Sequence, residues 1–139
     1  MKSVDKYLLY ADKAIKSSNI ATGNTIPAAY KGAVSSFGAS LIMSGLVPTM
    51  QFFMSESDKR DSDSRKIIEA IAQIIDPSGS TDAEGLKTRV MIALGINNPQ
   101  TRRVEIKNLK VKIINAAIAL KIMMRSYRFS GDEVGVDNS

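Results

Sequence analysis

The sequence predicts an all-α fold: a compact single-domain bundle of about five to six helices with a long C-terminal helix. Apolar residues recur at helical spacing along most of the chain, with no convincing period-two alternation or hairpin turn. Caps and breakers divide these runs into helix-sized pieces. At 139 residues and 44% hydrophobic side chains, the chain is long enough to bury one core. The bundle is expected over residues 1–129, and the polar, acidic stretch 130–139 is expected to be a disordered tail.

The elements follow in order. Val4, Leu8, Ala11 and Ile15 mark one face of a helix over Val4 to Lys16. Ser17 to Thr25 is polar and reads as a loop. Pro27 suits a first helical position. Tyr30, Val34, Phe37, Leu41 and Ile42 then form an apolar stripe that ends at Ser44-Gly45, where Gly45 suits a left-handed helix end. Leu46-Val47-Pro48 starts a short helix with Met50, Phe53 and Met54 facing in. Glu56 to Asp63 is wholly polar and reads as a loop.

Ser62 or Asp63 is placed to cap a helix over Ser64 to Ile75, which buries Ile67, Ile68, Ile71, Ile74 and Ile75. Asp76-Pro77-Ser78-Gly79-Ser80 breaks it. Thr81 and Glu84 match a capping box before a helix carrying Leu86, Val90 and Leu94 and stopping at Gly95. Asn98-Pro99 opens the final helix, read as continuous from Pro99 to Arg128. Leu109, Ile113, Ala116, Leu120 and Tyr127 form its main stripe. Val111, Ile118 and Ile122 lie elsewhere around it, so it is expected to be a spine packed on several sides.

That last helix concentrates the charge. It carries eight Lys or Arg and one acid, Glu105, a net +7; the whole chain carries +5, so the remainder sums to −2. At roughly 100° per residue, Arg103, Lys107, Lys110, Lys121, Arg125 and Arg128 share a sector of about 60°. Ile114 and Ala117 fill the gap. The stripe would run roughly 37 Å. An ordinary exposed helix mixes both signs, because like charges at i,i+4 repel. A one-signed stripe instead suits a polyanion. Lys31 and Arg65 extend the candidate RNA-binding surface.

The chain has no Cys and no His. This removes disulfides, thiol chemistry, Ser-His-Asp triads, and the commonest general base and metal ligand. Most acids (Asp58, Asp61, Asp63, Asp76, Asp82, Glu84) fall in loops or first turns, where capping and solvation account for them. No glycine-rich phosphate loop is present. The expectation is no enzyme, no metal, no cofactor and no small-molecule substrate. No run of about 18 apolar residues and no signal-peptide core occur, so a cytoplasmic protein off the membrane is expected.

The segment Tyr30-Lys31-Gly32-Ala33-Val34-Ser35-Ser36-Phe37-Gly38, followed by Ser44-Gly45-Leu46-Val47-Pro48-Thr49-Met50-Gln51-Phe52-Phe53, resembles the small α-helical subunit of type III-B (Cmr-type) CRISPR RNA-guided effector complexes. Ala119-Leu120-Lys121 stands where that family has a similar stretch, although Ile122-Met123-Met124 replaces its usual aromatic. The resemblance implies a non-catalytic subunit that stacks in a filament of its own copies. Its partners would be the large and backbone subunits of the effector, and it would hold the guide RNA–target RNA duplex by basic side chains. Cleavage would belong to other subunits.

Phosphate contacts ignore base identity, which suits a complex whose specificity comes from guide pairing. Eight Tyr or Phe and no Trp give little for base stacking. A small homodimeric helical DNA-binding or nucleoid-type regulator is the alternative, with the Gly45 joint as its helix-turn-helix. An adaptor for an acidic protein is a third reading, in which the seven Met would serve a forgiving interface.

Overall fold

The computed structural model describes residues 2–56, 63–78 and 82–130. Six helices are seen there: α1 (Lys2–Ser17), α2 (Ala29–Ser44), α3 (Leu46–Glu56), α4 (Asp63–Ile75), α5 (Ala83–Leu94) and α6 (Pro99–Met124). The all-α expectation holds, with one addition. Thr25–Pro27 (β1) and Arg128–Ser130 (β2) form a two-stranded parallel sheet, pairing Thr25 with Arg128, Ile26 with Phe129 and Pro27 with Ser130. Pro27 therefore ends a strand, and α2 begins at Ala29. Three residues per strand are too few for alternation to show in sequence.

Helix α6 is the element that α1, α2, α4 and α5 share. Its buried side is Leu109, Ile113, Ala116, Ala117, Leu120 and Met124, joined by Ala119. The alanines let neighbouring helices come close. Each fully buried Ile or Leu adds about 2 kcal/mol. Helix α4 lies deepest, with Ile67, Ile68, Ala70, Ile71, Ala72 and Ile74 fully buried. Val111, Ile118 and Ile122 are exposed, so α6 is packed along one side and is not a spine enclosed all round. Ile42, expected in the core stripe of α2, is 69% exposed, whereas Tyr30, Val34, Phe37 and Leu41 are buried. Successive positions 41 and 42 point about 100° apart, and only the first faces the core.

Helices α2 and α3 meet at Gly45 with no spacer. Gly45 donates to the Leu41 carbonyl at 3.2 Å, and its own carbonyl accepts from Thr49 at 3.3 Å, so one residue ends α2 and starts α3. Its backbone (φ 92°, ψ 173°) lies in an extended region that only glycine adopts readily, rather than in the left-handed helical region expected. The elbow places Phe37 edge-to-face on Phe53 at 5.0 Å. Buried Thr49 is satisfied by Ser40 at 2.7 Å.

Helix α5 is capped by Asp82, whose carboxylate accepts from Gly85 at 2.8 Å. Thr81, the expected capping residue, lies outside the described residues, as does Ser62. The expected Asn98 cap is present: its side chain accepts from Gln100 and Thr101, both at 3.0 Å.

The chain leaves α6 at Met124, four residues before the expected end. Tyr127, buried, donates to the Asp12 carboxylate of α1. Burial and then the Asp12 carboxylate push the Tyr127 phenol up to about 12, and the same bond holds Asp12 below the usual carboxylate range. The folded chain thus keeps Tyr127 protonated where an unfolded chain ionises it near 10.0.

This contribution to stability is complete below about pH 10 and is lost as pH rises through about 12. The contribution of Asp12 is present above the ordinary carboxylate pKa and is lost as pH falls through its lower folded value. Tyr127→Phe should cost about 1 kcal/mol and flatten both limbs, measured by denaturant unfolding across pH. Gly45→Ala should cost about 2 kcal/mol through backbone strain alone, because its Cβ would meet nothing within 4 Å. Thermal melting checks this.

Candidate nucleic-acid interface

The early end of α6 redistributes the basic stripe. Arg103, Lys107, Lys110, Lys121 and Arg125 keep a common sector, but Ala117 between them is buried and Ile114 is packed against the core. The neighbours of α6 therefore interrupt the stripe midway. Arg128 leaves it altogether, because it sits in β2. Side chains alternate along a strand, so Arg128 points away from the side that Phe129 takes.

At the C-terminal end of α6 the structure forms a cleft of about 260 Å³, lined by Lys31, Val34, Ser35, Lys121, Met124, Arg125 and Phe129. Three of these are expected site residues, drawn from two helices. Lys31 and Ser35 are one turn apart on α2, and Lys121 and Arg125 are one turn apart across the end of α6. Lys31 Nζ lies 5.5 Å from the centre of the Phe129 ring, which orients the ammonium at the rim. Phe129 reaches it because β2 pairs with β1, and Ala28 extends that pairing by donating to the Ser130 carbonyl at 2.8 Å. Among the described residues no carboxylate lines this cleft. It presents three cations around an apolar floor, a surface able to seat phosphate oxygens.

Lys107 lines a different cleft, with Lys6, Arg89 and Lys112. Arg103 is exposed and Lys110 half-buried on the α6 surface, and neither lines either cleft. Arg65 lies half-buried in the first turn of α4, and the Lys121 cleft is lined without it. Arg102 is structural: its guanidinium donates to the Ile96 carbonyl at 2.9 Å and ties the α5–α6 turn to α6. Sequence reasoning missed Phe129, Arg89, Lys6 and Lys112. The run Arg128-Phe129-Ser130 gave no strand signal, and Lys6 looked like part of an ordinary mixed-charge helix face.

A family model described as "CRISPR-associated protein (Cas_Cmr5)" matches residues 6–112. The chain belongs to this CRISPR-associated family. The match takes in the Tyr30 to Phe53 segment that carries the resemblance, and it stops before Ala119-Leu120-Lys121. No curated protein and no solved structure matches the chain. Among the described residues of this Cas_Cmr5-family chain, no helix is long and apolar enough to cross a membrane.

The position of Arg102 generates a contrast. Arg102→Ala should lower stability by about 1 kcal/mol and leave polyanion affinity near the wild-type value. Calorimetry and an RNA-binding titration on the same sample separate the two effects.

Proposed function

We propose that this chain is a non-catalytic structural subunit of a CRISPR ribonucleoprotein effector in the cytoplasm, holding the guide RNA–target RNA duplex by its phosphates. The cleft that gathers Lys31, Lys121 and Arg125 over an apolar floor, with no carboxylate among its described lining residues, is the observation that carries the reading. Arg103 and Lys110 continue the positive surface along α6, and Lys107 reaches the neighbouring cleft. Such a surface reads charge and shape, so it tolerates every guide sequence. The lack of His and Cys leaves catalysis to other subunits.

Stacking with copies of itself and with the large and backbone subunits is part of the same proposal. Exposed Ile42, Met43 and Phe52 at the α2–α3 end supply apolar area for such contacts. Many weak copies along one duplex would add affinity through multivalency. The regulator reading requires a recognition helix that offers base-reading side chains. Helix α3 opens with Leu46-Val47-Pro48-Thr49, and Leu46 and Thr49 are buried.

Lys121→Gln with Arg125→Gln should weaken binding to an RNA duplex about tenfold and reduce the salt dependence, as a log–log slope, by about two. Titrations at several salt concentrations check both numbers. An unchanged affinity and slope would remove the cleft from the proposed duplex site.

A further inference from the structure

A second basic surface lies on the opposite flank of α6. Lys112 and Lys121 are nine positions apart, which places them about 180° apart around the helix. Two adjoining clefts there, of about 590 and 490 Å³, share Lys6, Tyr7, Arg89 and Lys112. Three different helices thus bring one cation each to one place: Lys6 from α1, Arg89 from α5 and Lys112 from α6.

None of these three makes an ion pair among the described residues, where the one salt bridge is Lys16 to Asp12 at 3.2 Å. The i−4 and i+4 neighbours of Lys112 are Asn108 and Ala116, and the one acid of α6 that lines the cleft is Glu105, two turns before Lys112. Gathering unpaired cations costs repulsion that a bound polyanion would remove. Tyr7 is buried in the lining of both clefts, and burial pushes its phenol up while the Arg89 charge opposes that shift.

The neutral part of the lining narrows the ligand. Asn108 and Asn115 both line the larger cleft. They are two turns apart on one side of α6, roughly 10 Å. Each amide both donates and accepts, which fits a ribose 2′-hydroxyl. Glu105 closes one end of the track and Asp76 the other.

We propose that the surface between α1, α5 and α6 is a second RNA site, taking the phosphates of a single strand on Lys6, Arg89 and Lys112 and its ribose hydroxyls on Asn108 and Asn115. It rests on the reading of this chain as an RNA-holding subunit. One copy then grips a duplex at the end of α6 and a separate strand on the opposite flank.

The test uses the full chain, a short fluorescent single-stranded RNA, DNA of the same sequence, and the RNA duplex, with each variant titrated against every probe. Arg89→Gln with Lys112→Gln should weaken RNA binding about tenfold and lower the single-strand salt slope by roughly 1.5. Asn108→Ala with Asn115→Ala should erase most of the preference for RNA over DNA. Thermal melting confirms folding, and Lys6→Gln provides an independent variant at an exposed position. If only Lys121→Gln with Arg125→Gln weakens binding, the second site is overturned and the proposed duplex site stands. If only the Arg89 and Lys112 pair matters, the second site stands and the duplex site falls. If neither pair matters, both fall.

Discussion

One buried face of α6 must serve four other helices, and most of the architecture follows from that constraint. Leu109, Ile113, Leu120 and Met124 form the shared wall, and Ala116, Ala117 and Ala119 keep it thin enough for neighbours to approach. Burying this side forces every cation of α6 to the flanks or the outer surface, because a lysine cannot enter such a wall without a partner. The packing that builds the core therefore also sorts the charge. It leaves Lys121 and Arg125 on one flank and Lys112 on the other.

The end of the chain adds a second constraint. Once α6 stops at Met124, Tyr127 is buried and bonded to Asp12 of α1, and the next three residues pair with β1. This short return is local in extent but links positions 115 residues apart. It carries Phe129 against Lys31 and completes the cleft that Lys121 and Arg125 begin. An unbroken helix to Arg128 would have given a longer stripe with no concavity. The strand gives a shorter surface with an apolar floor.

The fold was largely legible. The helices centred on Phe37, Ile71, Val90 and Ile113 were marked by apolar spacing, and the Gly45 elbow and Asn98 cap by residue chemistry. Family membership was legible from the Tyr30 to Phe53 segment. The candidate site was legible only in part. Lys31, Lys121 and Arg125 stood out as basic residues, but nothing in the sequence said that they share a cleft. Lys6 and Arg89 gave no signal, because each is an unremarkable cation on its own helix. Phe52 and Phe53 looked alike in sequence, yet one is 61% exposed and the other 6%.

The sequence by itself determined what can be read one helix at a time: the all-α class, the approximate helix order, and a net positive C-terminal segment in a chain without His or Cys. These follow from periodicity, capping and residue chemistry, which act over one or two turns. The tertiary structure decided which apolar residues are covered, where α6 ends, and which cations converge. Those outcomes depend on side chains from distant helices competing for one buried face, and local spacing carries no record of that competition.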